Sequence, residues 1–205
     1  GDFWSASWQP VGKPLDQYKS ECRHGTAYTK ITSEYTDIKS ETLYYVPLNQ
    51  NFEYWRLKLT NTGSKPRKLS VFTYCELTSQ WGTTQDQVNL QYSLFISKGE
   101  QKDNMLRFAI HDNLYHQDPE APIGGAAMHS WMALCGSPLT GFDTSREAFI
   151  GTYGNYEHPD AVKNGKCTNS LAYGDNICGS METEISLNPG ESKEVIVMFG
   201  IGDAW

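Results

Sequence analysis

Trp55-Arg56-Leu57-Lys58-Leu59-Thr60 places apolar and polar residues on alternate positions. A period of two is the signature of a strand with one buried face, because successive side chains point to opposite sides of the sheet. Outward from it, residues 69–77 continue the pattern, with Leu69, Val71, Cys75 and Leu77 on one face. Phe72 and Tyr74 occupy the other, which predicts a strand covered on both sides. Asn61-Thr62-Gly63-Ser64-Lys65-Pro66 between them is a short polar turn, and a hairpin is the economical reading. Near the C-terminus, residues 181–187 and 195–201 alternate on either side of Asn188-Pro189-Gly190-Glu191, a strong turn sequence.

Further strands are expected at residues 26–35, 38–46, 91–97, 105–111 and 126–134, and the opening Asp2-Phe3-Trp4 also reads as strand. Helix is confined to turns near residues 144–149 and 158–162. No repeat of solenoid or propeller period occurs, and no Pro-, Gly- or Ser-rich linker divides the chain. The expectation is one all-β domain over residues 1–205, a large antiparallel β-sandwich. Two long connections, residues 80–89 and 117–125, interrupt it, and connections of that length tend to carry function.

Bulk properties narrow the partners. The formal net charge is −7, and the densest basic run, Lys65, Arg67 and Lys68, sits at a turn. Nothing there could displace the counterions of a nucleic acid. No apolar run approaches the ~20 residues of a membrane span. The five cysteines form an odd set without tight spacing, and no Asn-X-Ser/Thr acceptor occurs, which together point to a reducing cytoplasm. Aromatic residues reach 13% of the chain, suiting either a β core or a surface that stacks on sugars. The chain opens without Met and reads as a piece of something longer.

Motifs for chemistry are sparse. His111, Asp112 and His116 match no common zinc spacing, so no metal site is expected. Ser180 lacks the frame of a nucleophile elbow, and Gly124-Gly125 has no Lys or helix to hold phosphate. Glu76, Asp86 and Asp143 are acids of the kind a glycosidic bond requires, but the sequence pairs none of them, and structural roles are the default. Arg23-His24-Gly25 reads as a bulge or tight bend. Trp4 and Trp8, four apart, would share one side of a strand, with core packing as the default and a sugar platform as the alternative.

The run Gly1-Asp2-Phe3-Trp4-Ser5-Ala6-Ser7-Trp8-Gln9-Pro10-Val11, followed by Glu21-Cys22-Arg23-His24-Gly25-Thr26-Ala27-Tyr28-Thr29, strongly resembles the N-terminal domain of glycoside hydrolase family 94. That family includes cellobiose, cellodextrin, laminaribiose and chitobiose phosphorylases. Tyr45-Val46-Pro47, Phe72-Thr73-Tyr74-Cys75-Glu76, the stretch from Gly141 to Gly151, and Asn164-Gly165-Lys166-Cys167-Thr168-Asn169-Ser170 extend the likeness over nearly the whole chain.

The resemblance implies a supersandwich of galactose mutarotase type. It also implies a C-terminal (α/α)6 barrel carrying the catalytic acid and the phosphate site, so no catalytic residue is expected in this segment. The family's pattern begins several dozen residues earlier, so the first strands of the domain are expected to be missing. The implied reaction is reversible, inverting phosphorolysis of a β-linked disaccharide or oligosaccharide to an α-sugar 1-phosphate, with phosphate as co-substrate and no cofactor.

In relatives the sandwich helps form a homodimer and sends a loop into the neighbouring subunit's active site. The corresponding stretch is residues 81–93, with Asn89, Gln91 and Tyr92 at the reaching positions and Trp81 as a sugar-facing aromatic. Amides both donate and accept hydrogen bonds, which suits sugar hydroxyls, and Tyr can stack on a pyranose. Cellobiose-type members carry Asn-Phe-Gln-Arg-Asn where this chain has Asn89-Leu90-Gln91-Tyr92-Ser93. The missing arginine fork leaves laminaribiose, cellodextrin or chitobiose open. The rival readings are a free-standing carbohydrate-binding module and a purely structural sandwich.

Overall fold

The computed structural model describes residues 1–77, 97–111 and 127–202. Among these, β1 (Lys19–His24), β2 (Tyr28–Tyr35), β3 (Ile38–Tyr45), β4 (Phe52–Asn61), β7 (Ser97–Lys102), β8 (Met105–His111), β9 (Ala127–Cys135) and β12 (Ser192–Ile201) form one sheet. Its order is β1-β2-β3-β4-β12-β9-β8-β7, antiparallel throughout. A smaller sheet orders β10 (Gly141–Ser145), β11 (Ile177–Leu187) and β5 (Arg67–Phe72), with β6 (Cys75–Glu76) also pairing with β11. The two sheets enclose Ile38, Leu59, Leu106, Phe108, Met132, Leu134, Met181, Ile185, Leu187, Val195 and Val197. Fully burying an aliphatic or aromatic side chain of this kind contributes about 1.5–3 kcal/mol, so this inter-sheet layer is the main cohesive element.

Two short helices, α1 (Arg146–Ile150) and α2 (Asp160–Asn164), cover the outer face of the small sheet. Phe149, Ile150 and Ala161 there meet Cys167 and Cys178, with Phe72 and Tyr74 packed alongside. The stretch expected as one strand over residues 69–77 is divided into β5 and β6 by Thr73 and Tyr74, but it is covered on both sides as expected. Leu69, Val71, Cys75 and Leu77 face the main core, and Phe72 and Tyr74 face the helices. Both helical expectations hold within two residues. Ser145 caps α1, its Oγ accepting from the Ala148 backbone N–H, and left-handed Gly165 ends α2.

Three expectations need correction. The turn at residues 61–66 does not close a hairpin, because β4 lies in the large sheet and β5 in the small one. Buried Asn61 accounts for the crossing: its amide donates to the carbonyls of Lys65 (2.8 Å) and Leu187 (3.2 Å) and accepts from Gly63 N–H (3.0 Å). Its backbone also exchanges hydrogen bonds with Gly190 and Glu191. The β11–β12 turn therefore crosses between sheets beside it.

The opening residues are not strand. Trp8 takes a left-handed backbone (φ 71°) in a coil tied down by Tyr18, whose hydroxyl donates to Ser5 O and accepts from Trp8 N–H. Trp4 does pack against the core, but it shares no strand face with Trp8. Finally, Arg23 and His24 belong to β1, and the bend begins at Gly25, whose N–H donates to Tyr28 O. Of the strand expected at residues 91–97, only Ser97 is described, as the first residue of β7.

Candidate functional site

Trp81, Asn89, Gln91 and Tyr92 lie outside the described residues, as do Asp86, Asp112, His116 and both long connections. What the structure fixes is their frame. The described chain stops at Leu77 and resumes at Ser97, then stops at His111 and resumes at Ala127. Following the register across the large sheet, Ser97 pairs with Ile110, His111 with Ala127, Ile201 with Ser130, Gly200 with Phe52, Tyr54 with Tyr45, and Thr29 with His24. The second connection therefore leaves and rejoins the fold at one end of this sheet, and the first, which departs after β6 of the small sheet, rejoins it at that same end.

That end carries aromatic rings on both faces. On the outer face Tyr45 lies 5.1 Å from Tyr54 and Phe52 lies 6.1 Å from Trp131. Gly200 stands between Phe52 and Trp131, where a Cβ would strike the Trp131 ring and the Phe52 Cβ. On the inner face Tyr44 meets Trp55 edge-on at 6.0 Å, and Trp55 lies 6.3 Å from Phe199. Burial, then the negative charge of Glu53, raises the Tyr44 phenol above its ordinary value, so it stays a neutral hydrogen-bonding group.

One residue before the last that is described in this segment, Glu76 gathers three donors. Its Oε1 accepts from the hydroxyls of Tyr74 and Tyr156 (2.6 Å each) and from Arg146 Nε (2.9 Å). Arg146 also donates to the Tyr156 hydroxyl (3.0 Å) and lies over that ring. Tyr74 stacks on Phe149 at 4.9 Å, so α1 supplies both the guanidinium and the platform. Burial works to raise the Glu76 carboxyl, but the bonds from Tyr156, Tyr74 and Arg146 outweigh it and hold it below the ordinary value. Such a carboxylate is an anchor, not a proton donor. No local sequence signal could reveal it, because two of its three donors lie 70 and 80 positions away.

Asp143 is fully buried. Its Oδ1 accepts from Thr168 N–H (3.1 Å) and Oγ1 (2.6 Å), and from Ser170 N–H (3.0 Å) and Oγ (2.8 Å). It holds the 167–172 segment against β10 and has no path to a substrate. Among the described residues no group of His, Cys, Asp and Glu could hold a metal ion, and no helix is long and apolar enough to cross a membrane.

The family model for the glycosyl hydrolase 94 supersandwich domain matches residues 1–205. The chain belongs to this family. An N,N'-diacetylchitobiose phosphorylase of Vibrio furnissii is 32% identical over 98% of this chain and 24% of its own length. A 3-O-beta-D-glucopyranosyl-beta-D-glucuronide phosphorylase of Paenibacillus borealis is 30% identical over 93% of this chain and 23% of its own. A solabiose phosphorylase of the same organism is 27% identical over 99% and 25%. The chain thus spans about a quarter of the length of the curated relatives it matches. A solved putative aldose 1-epimerase of Escherichia coli K12 overlaps 91% of this chain and 69% of its own at 10% identity, with a TM-score of 0.48. Within the supersandwich family, the Glu76 cluster joins two stretches that carried the resemblance in sequence, residues 72–76 and 141–151.

Proposed function

We propose that this chain is the N-terminal, dimer-forming domain of a larger cytoplasmic inverting phosphorylase, one that converts a β-linked disaccharide or oligosaccharide and phosphate to an α-sugar 1-phosphate and a shorter sugar. The observation that carries this reading is the family match over the whole chain, with phosphorylases among its relatives. In this reading a C-terminal helical barrel supplies the catalytic acid, phosphate is the nucleophile, and no metal or cofactor takes part. The sandwich supplies residues 81–93 to the partner subunit's acceptor site, where Asn89 and Gln91 bond sugar hydroxyls and Tyr92, with Trp81, faces the ring. The return of the first connection at Ser97, beside both anchors of the second at an aromatic-rich end of the sheet, supports this assignment.

The test is Gln91→Ala in the full-length enzyme. Loss of one amide bonding to sugar is worth about 0.5–1.5 kcal/mol, so the acceptor KM should rise about twofold to tenfold with the phosphate KM unchanged. An unchanged acceptor KM would count against the loop assignment.

A further inference from the structure

The α1–α2 connection holds a solvent-facing hollow of about 520 Å³, lined by Thr152, Tyr153, Gly154, Asn155, His158, Asp160 and Lys163. Tyr153 stands at its edge wholly exposed, at 101% of its reference area. Two glycines fix that placement. A Cβ on Gly154 would land on the Ile150 carbonyl oxygen, and Gly151 (φ 93°) leaves room for the Asp160 carboxylate against its backbone. The polar rim is held too: Asn155 Oδ1 accepts from His158 N–H (2.8 Å), Lys163 Nζ donates to Asp160 Oδ1 (3.0 Å), and the His158 ring meets Phe3 edge-on at 5.8 Å.

We infer that this hollow is a secondary binding site for a neutral β-linked oligosaccharide, with Tyr153 as the stacking platform. The inference rests on the carbohydrate reading above, and it concerns a surface remote in sequence from residues 81–93. Three features select the ligand class. A flat exposed ring matches the apolar face of a pyranose better than a globular apolar group. The Asn155 amide N–H groups, the second Asp160 oxygen and the remaining Lys163 hydrogens offer donors and acceptors side by side, as vicinal hydroxyls require. The rim's opposite charges, Asp160 and Lys163, are paired with each other, so it favours neither a phosphate nor a cation.

The experiment is affinity gel electrophoresis of the full-length enzyme through soluble β-1,3-glucan, mixed-linkage β-glucan or glycol chitin, with disaccharide phosphorolysis assayed in parallel. Wild type should be retarded by at least one polymer. Tyr153→Ala and Asn155→Ala should weaken retardation about threefold to tenfold, the range expected for one aromatic contact, while Tyr153→Phe retains it. Phosphorolysis of disaccharides should be unchanged in all three. Retardation that survives Tyr153→Ala, or a wild type that no polymer retards, overturns the inference. A wild type that is retarded but phosphorolyses no disaccharide leaves this site standing and removes the enzymatic reading instead.

Discussion

Asp143→Asn keeps the shape of the buried side chain and changes only its hydrogen-bonding character. In the wild-type protein the carboxylate takes four bonds at Oδ1, and Oδ2 lies 3.1 Å from the Thr168 N–H as well. An asparagine must turn its NH2 either toward Thr168 and Ser170, setting donor against donor, or toward the Oδ2 side, where Thr168 N–H again opposes it. Deleting one partner of a hydrogen bond to a carboxylate costs about 1.5–3 kcal/mol. Taking about 3 kcal/mol for the variant, local opening of the 167–172 segment becomes about 150-fold more frequent.

The segment is wired onward. Thr144 N–H donates to Ser170 O, and Ala172 N–H to Thr144 Oγ1 (2.7 Å). Ser145 then caps the helix that carries Arg146. Hydrogen exchange followed by mass spectrometry on peptides covering residues 165–173 should show the faster exchange. The melting temperature of the unit should fall by about 6–12 °C, at about 2–4 °C per kcal/mol for a domain of this size. Exchange within threefold of wild type, with a melting temperature changed by less than a degree, would refute the claim that Asp143 holds this segment.

The Glu76 carboxyl is held below its ordinary value of 4.5, so the cluster stabilises fully above that pH and its contribution fades as pH falls through the depressed value. Glu76→Gln should therefore lower the melting temperature at pH 7, and the gap from wild type should narrow below about pH 4.5; a constant gap from pH 7 to 3 would show that the ionised carboxylate is not what matters. Cys22 is exposed, whereas burial pushes Cys75 up to about 12 and also raises Cys135, Cys167 and Cys178. At pH 8 roughly one Cys75 in 10⁴ is a thiolate, so iodoacetamide should label Cys22 at least a hundredfold faster than Cys75, and comparable rates would contradict the packing described.

The sheets were legible where burial was one-sided. Residues 55–60 alternate because Trp55, Leu57 and Leu59 meet the core while Arg56, Lys58 and Thr60 face outward. Strand β1 escaped that logic, since all six of its residues are exposed and leave no hydrophobic period. The crossings between sheets were illegible for a different reason: a polar turn reads alike whether it closes a hairpin or bridges two layers, and only Asn61's bonds to Lys65 and Leu187 decide. The Glu76 cluster was invisible because its three donors come from Tyr74, Arg146 and Tyr156, which lie close only once the small sheet and α1 have packed. Resemblance, by contrast, pointed to the family that the match over residues 1–205 establishes.

The most direct test of the account follows inorganic phosphate. The full-length protein carrying this domain, given phosphate and a panel of β-linked disaccharides that includes N,N'-diacetylchitobiose and laminaribiose, should convert one of them to an α-sugar 1-phosphate visible by phosphorus NMR, while residues 1–205 alone convert none. Release of free sugars without phosphate consumption, or turnover by the 205-residue chain on its own, would contradict it.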